Sequence, residues 1–104
     1  MGSYRNRLEI IADILQVVSQ QPKKTQIMYQ ANLSYKVLQK YLKEVSKASL
    51  IDFEFEKQCY KLTNKGSKFL EAYRKYSRRS RQLEKRQNEI EGKKKVLEEL
   101  CSGE

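Results

Sequence analysis

The sequence Ile-Asp-Phe-Glu-Phe-Glu-Lys-Gln-Cys-Tyr-Lys-Leu at residues 51–62 separates this chain from an all-helical protein. Apolar and acidic residues alternate along its first half, with Ile51, Phe53 and Phe55 set between Asp52, Glu54 and Glu56. This period of two is typical of a strand with one buried face. Residues 56–58 are the predicted turn, and a second strand returns with Tyr60 and Leu62 on one face. The segment therefore predicts a β-hairpin with buried aromatic side chains.

Upstream of the hairpin the apolar residues follow helical spacing. The first predicted helix ends before Pro22 and carries Leu8, Ile11, Ile14, Leu15 and Val18 at intervals of mostly three and four. Thr25 is predicted to cap a short second helix over residues 26–30, and Ser34 a third helix that runs to about Ala48. The apolar stripe of the third helix is Tyr35, Leu38, Leu42 and Val45. Three helices followed by a hairpin are the order of a winged helix-turn-helix domain.

A single long helix is predicted after the hairpin, from the N-cap Thr63 to about Leu100. Phe69, Tyr76, Leu83, Ile90 and Leu97 recur every seven residues, with Tyr73 at the alternate seam position. Such a repeat indicates a coiled coil, and so long a helix needs a partner to cover its apolar stripe. The simplest partner is a second copy of the chain, so these six residues are predicted to mediate dimerisation. The alternative is a lone solvated helix held by pairs such as Lys85/Glu89, which leaves the stripe unexplained.

The predicted fold class is therefore mostly α with a small β-hairpin: a winged helix-turn-helix followed by a long C-terminal coiled-coil helix. The winged-helix domain is assigned to residues 4–63, the dimerisation helix to residues 64–101 and a short tail to residues 102–104. A chain of 104 residues has little room for a second hydrophobic core.

Composition excludes most enzyme classes. The chain has no histidine, which removes Ser-His and Cys-His nucleophile pairs, imidazole bases and most catalytic zinc sites. Cys59 and Cys101 form neither a disulfide framework nor a zinc pattern, so a reducing, cytoplasmic setting is expected. No apolar run is long enough for a membrane span. We therefore expect no enzymatic activity, cofactor, metal, small-molecule substrate or membrane partner.

The strongest functional signal is a row of lysines on the third helix. Lys36, Lys40, Lys43 and Lys47 are spaced four, three and four, with Gln39 beside them. They share one helix face, which in a helix-turn-helix enters the major groove of double-stranded DNA. Ser34 and Tyr35 are expected near phosphate at the helix start, and Lys57 and Lys61 are expected to touch the DNA backbone from the hairpin. The alternative interpretation is an ordinary solvated lysine face.

Two further features bear on nucleic-acid binding. Lysine and arginine total 22 against 13 acidic residues, and the net charge of +9 suits a polyanionic partner. Arg74, Lys75, Arg78, Arg79 and Arg81 form a second basic cluster, which fits phosphate contact, a solubilising surface or pairing with a partner helix. Because the strand aromatics are predicted to be buried, single-stranded binding is the less favoured nucleic-acid function.

Three segments resemble one family closely: Leu8 to Ile11, Lys24 to Tyr35 and Tyr60 to Gly66. They are similar to small basic winged-helix DNA-binding proteins of archaea, described as chromatin or nucleoid-associated proteins. The resemblance covers about residues 5–85. It implies an antiparallel dimeric rod with a domain at each end, and duplex binding with little sequence preference that extends to transcriptional regulation. It also implies a groove-facing segment at residues 34–47 and a wing at residues 52–61.

Two departures from that family remain. The hairpin tip has no glycine and carries acidic residues, whose repulsion of phosphate disfavours tight contact between the wing and the DNA backbone. The coil borders are complementary in a parallel pair, where Arg79, Arg86 and Lys93 each face a partner glutamate five positions further on.

The functional alternative is a protein-interaction adaptor, in which the coil docks another protein and the third helix binds no DNA.

Overall fold

The computed structural model describes residues 5–102. Its elements are α1 (Arg7–Val18), α2 (Lys24–Gln30), α3 (Tyr35–Lys47), β1 (Ile51–Glu54), β2 (Cys59–Leu62) and α4 (Asn64–Cys101). The predicted mostly helical fold with one hairpin and a long final helix is confirmed. Tyr4, the first residue of the predicted domain, and the last two residues of the predicted tail lie outside the described residues.

Local sequence fixes most helix boundaries. Asn6 caps α1, because its side chain accepts a hydrogen bond from the Glu9 amide while the Glu9 carboxylate accepts one from the Asn6 amide. Ser34 caps α3 by accepting from the Val37 amide at 3.2 Å, as predicted. The predicted cap at Thr25 is wrong: α2 begins two residues earlier, at Lys24, and its N-cap Lys23 donates its amide to the Gln26 side chain at 2.9 Å.

The hairpin is shorter and less covered than its sequence pattern predicted. The strands pair antiparallel with Ile51 opposite Leu62 and Phe53 opposite Tyr60. The predicted continuation of β1 beyond Glu54 is wrong, because Phe55–Gln58 form the turn and Gln58 closes it in a left-handed conformation. The predicted burial of Phe53 and Phe55 is also wrong, since these side chains are 39% and 79% exposed, whereas Tyr60 is partly buried against the core. The small core covers only the Ile51 end of this face.

The core is formed where α1, α2 and α3 meet the hairpin. Its fully buried side chains are Ile14, Leu15, Val18, Ile27, Leu38 and Val45. The amide of Tyr60 donates to the Pro22 carbonyl at 2.9 Å, which ties the outer edge of β2 to the α1–α2 connection. Tyr35, predicted within the apolar stripe of α3, is 59% exposed, because the start of α3 extends beyond this core.

The first turns of α4 belong to the same compact unit, which ends at Tyr73. Leu70 is buried, and Phe69 and Tyr73 pack against the core with their rings stacked 6.5 Å apart. Thr63 caps α4 as predicted, since its hydroxyl accepts from the Gly66 amide at 3.0 Å and donates to the Ser49 carbonyl.

The second unit begins at Arg74 and contains the rest of α4. Every described residue from 78 to 102 is exposed in the single chain. Its seven-residue series remains open to solvent: Tyr76, Leu83, Ile90 and Leu97 are 61–68% exposed. Val96 and Leu100 are exposed as well. This helix therefore has no core of its own within one copy of the chain.

Candidate nucleic-acid interface

A row of exposed cations lies along α3. Lys36, Lys40, Lys43 and Lys47, which we call the lysine face, are all exposed, and Gln39 is exposed beside them. At 100° per residue these four side chains fall within about 60° of the helix circumference. The opposite side of α3 buries Leu38, Leu42 and Val45 in the core. Packing of the apolar stripe thus orients the lysine face toward solvent.

The lysine face is not neutralised by carboxylates. Glu44 is the sole acidic residue of α3, and its carboxylate pairs with Arg7 of α1. Among residues 5–102, no ion pair involves any lysine of the lysine face, although Lys40 lies 5.6 Å from the centre of the Tyr41 ring. The four charges therefore remain available to an anionic ligand.

Lys24, which helical spacing does not indicate, belongs to the same surface. It lies in the first turn of α2, and its ammonium is 2.5 Å from the Gln39 side-chain oxygen and 4.7 Å from the centre of the Tyr35 ring. The start of α2 and the start of α3 thus present cation, amide and phenol together. In the sequence, a role for Lys24 is indicated by its place in the segment from Lys24 to Tyr35 that resembles the archaeal family. Residue spacing along one helix cannot reveal a contact between two helices.

A shallow recess of about 300 Å³ adjoins the lysine face. It is lined by Lys24, Gln39, Leu42, Lys43, Ser46 and Tyr60. Tyr60 comes from β2, so the recess joins the hairpin to α2 and α3. Its lining offers two cations, an amide, a hydroxyl and an aromatic ring, which are groups that contact phosphate, sugar and base.

The α2–α3 turn is held in place by Arg5. The Arg5 guanidinium donates to the carbonyls of Ala31 and Asn32 at 2.7 and 2.8 Å, and it pairs with Asp13 of α1 at 2.8 Å. Asn32 adopts a left-handed conformation in this turn. The clamp satisfies carbonyls at the end of α2, and it fixes the direction in which α3 leaves the turn.

The two hairpin lysines differ in their surroundings. Lys57 lies in the exposed turn, whereas Lys61 pairs with Glu54 across the strands at 2.9 Å. The hydrogen bond from Lys61 lowers the pKa of Glu54, and the same bond raises the pKa of Lys61. Lys61 therefore carries a charge that Glu54 already offsets, and it is not grouped with the lysine face.

The predicted dimerisation residues fall into two groups. Phe69 and Tyr73 are partly buried against the core of their own domain, whereas Tyr76, Leu83, Ile90 and Leu97 are exposed.

Over the described part of the chain, no helix is long and apolar enough to cross a membrane. Nor do residues 5–102 contain a cluster of three or more acidic or cysteine side chains placed to hold a metal ion.

Comparison with known proteins agrees with this geometry. A family model described as a winged helix-turn-helix matches residues 4–81. Among solved structures, Sso10a-2, a DNA-binding protein from Sulfolobus solfataricus, is similar with a TM-score of 0.66 and 28% sequence identity. The similarity covers 95% of this chain and 100% of that one. No curated protein matches the chain.

Proposed function

The chain belongs to the winged helix-turn-helix family, and on that basis we propose that it binds double-stranded DNA through the lysine face of α3. The observation that carries the proposal is the set of four exposed, unneutralised lysines on the helix that this fold presents to the major groove. The similarity to the DNA-binding protein Sso10a-2 supports the same conclusion.

Each group has a distinct role in the proposed complex. Lys36, Lys40, Lys43 and Lys47 contact phosphates and base edges, and Gln39 reads a base edge. Lys24 contacts a DNA phosphate beside Tyr35 and Ser34, at the start of α3. Lys57 touches the DNA backbone from the hairpin turn. Lys61 has a weaker part, because Glu54 offsets its charge.

We further propose that the active form is a homodimer joined through the exposed members of the seven-residue series of α4. We call these residues the seam: Tyr76, Leu83, Ile90 and Leu97. A nonpolar row recurring every seven residues, open to solvent along the described helix, is the pattern that a second helix covers. Two DNA-binding domains in one particle raise the local concentration of the second once the first has bound.

A nucleoid-associated role in the cytoplasm fits this surface better than recognition of one operator. Lysines that contact phosphate give affinity without sequence information, and one glutamine supplies few base contacts. A transcriptional regulator and a general nucleoid protein differ in the ratio of specific to nonspecific affinity, not in affinity itself.

The central test is the triple substitution Lys36→Ala, Lys40→Ala and Lys43→Ala. We expect the affinity for a 20-bp duplex to fall at least about tenfold at low salt, because each lost contact forfeits the release of counterions. The slope of log affinity against log salt should become less steep by about 0.9 for each phosphate contact removed. Fluorescence anisotropy over a salt series measures both.

A charge-matched control separates this surface from net charge. Lys68→Ala, Lys85→Ala and Lys95→Ala remove the same charge from exposed positions on α4, and we expect duplex affinity and salt slope close to the parent values. Circular dichroism should show both triple variants folded, since none of the six side chains lies in the core. Equal binding by the two variants would reject the lysine face. A folded dimer that ignores duplex at low salt would favour the adaptor.

A further inference from the structure

A row of aromatic rings runs along one side of the hairpin, from the partly buried Tyr60 through Phe53 to the exposed Phe55. Phe53 and Tyr60 are cross-strand partners with ring centres 5.0 Å apart, and the Phe55 ring follows Phe53 at 5.3 Å. Exposure increases along the row to 79% at Phe55. We call Phe53, Phe55 and Tyr60 the aromatic face. A large apolar ring held in water at a hairpin turn has no structural role that the fold explains.

The two carboxylates of β1 lie on the side of the hairpin opposite the aromatic rings, whereas Glu56 lies in the turn between Phe55 and Lys57. Because side chains alternate along a strand, Asp52 and Glu54 lie on the side opposite Phe53. Cross-strand pairing places Lys61 on that same acidic side, where it binds Glu54 at 2.9 Å. The carboxylates of β1 therefore do not line the aromatic face.

The aromatic face continues into the recess beside the lysine face. Tyr60 lines that recess together with Lys24 and Lys43. One end of the aromatic row therefore meets two cations, and Lys57 lies in the turn at the other end. Aromatic rings on a hairpin, with cations near both ends of the row, combine stacking surfaces for bases with charges for the phosphates between them.

We propose that the aromatic face binds unpaired bases of single-stranded DNA, a function beyond the proposed binding of duplex. Successive bases stack on Phe55, Phe53 and Tyr60, and the phosphates that follow enter the recess at Lys24 and Lys43. Stacking on π-faces makes the interaction tolerant of sequence. The ring planes of Phe55 and Tyr60 are inclined to that of Phe53 by 81° and 59°, so each base would stack on its own ring instead of forming one continuous column.

The test compares the full-length parent with Phe55→Ala in binding a 20-nucleotide oligothymidine and a 20-bp duplex. We expect the parent to bind oligothymidine at low salt and Phe55→Ala to bind it at least about fivefold more weakly, as the loss of one stacked base requires. Duplex affinity should stay within twofold, because Phe55 is not on the lysine face. Fluorescence anisotropy measures both ligands under one condition.

Conservative variants separate stacking from apolar contact. Phe55→Trp should retain oligothymidine binding, whereas Phe55→Leu should lose it, since leucine is apolar but has no π-face. Tyr29→Ala removes an equally exposed ring from α2 and should leave oligothymidine binding unchanged. Tyrosine fluorescence of the parent should be quenched by oligothymidine as bases stack near Tyr60.

Two results would overturn the proposal: the parent fails to bind oligothymidine at low salt, or Phe55→Ala binds it as well as the parent does. In the second case, a loss of duplex affinity in Phe55→Ala would identify a contact with double-stranded DNA instead. Neither result depends on the lysine-face triple variant, whose loss of duplex binding tests the proposed function separately.

Discussion

Gly66 allows the first turn of α4 to pass close to the end of the α3–β1 connection. A Cβ at this position would lie 2.1 Å from the Leu50 carbonyl oxygen and 3.1 Å from a methyl carbon of Leu62. That carbonyl also accepts the amide of Thr63 at 3.2 Å, so it cannot move away without loss of this bond. Absence of a side chain at Gly66 is thus a condition for docking α4 on the domain.

We therefore expect Gly66→Ala to lower the free energy of unfolding by about 1–3 kcal/mol, the usual cost of overpacking. Gly92→Ala is the matched control, because a Cβ there meets no atom within 4 Å. It should stabilise α4 by about 0.5–1 kcal/mol through helix propensity. Thermal and urea unfolding followed by circular dichroism measure both. Equal effects of the two substitutions would contradict the close packing at Leu50.

The Glu54–Lys61 pair gives a pH-dependent contribution with a defined sign. The pKa of Glu54 lies below its ordinary value of 4.5, mainly because it accepts a hydrogen bond from Lys61. Glu54 therefore stabilises the fold above pH 4.5, and this contribution disappears as the pH falls through the lowered pKa. The raised pKa of Lys61 acts at the alkaline end, where its contribution is lost as the pH rises through that value.

An NMR titration of the Glu54 carboxyl should report a pKa below 4.5 in the parent and a return toward 4.5 in Lys61→Met. Lys57→Met is the control, because Lys57 acts on Glu54 only through space and should change the pKa less. A Glu54 pKa that is indifferent to Lys61→Met would show that the cross-strand pair does not form in solution.

At the scale of elements, periodicity predicted the helices and misjudged the hairpin. The apolar spacing of α1 and α3 reports burial for most of each stripe, because both helices pack on a shared core, but Leu8 and Tyr35 near the helix starts are exposed. Alternation in residues 51–56 reports only which side of a strand a residue occupies. It cannot tell whether anything covers that side, and here the core ends at Ile51. Alternation therefore predicts burial of Phe53 and Phe55, which are exposed. The argument that buried strand aromatics disfavour single-stranded DNA binding does not hold for these two residues.

The candidate site shows the same division between local and nonlocal signals. The lysine face could be predicted, since its four members follow the period of one helix. Lys24 and Tyr60 could not, because they reach Gln39 and Lys43 only after α2, α3 and β2 have packed together. Arg5 was likewise missed, since its partners Ala31 and Asn32 are backbone carbonyls that carry no sequence signal.

At the scale of the whole molecule, two kinds of surface remain unsatisfied in one copy of the chain. Within residues 5–102, the lysine face forms no ion pair, and Leu83, Ile90 and Leu97 of the α4 seam are exposed. DNA would satisfy the first and a second chain the second. The charged residues that border the seam contribute little to the stability of a dimer, because exposed ion pairs are each worth about 0.2–1 kcal/mol. Packing of the apolar seam residues should therefore decide whether a dimer forms.

Ile90→Glu places a charge in the middle of that seam, and we expect it to convert a dimer into a monomer at micromolar concentration. Burying an unpaired carboxylate against a partner helix costs several kcal/mol, which exceeds what a weak coil with polar alternate positions can offset. Val96→Glu is the matched control: Val96 is a similarly exposed apolar residue, but it lies one position outside the repeat and should leave the mass unchanged. Light scattering after gel filtration gives the mass directly. A monomeric parent, or equal effects of the two glutamates, would contradict a dimer built on this repeat.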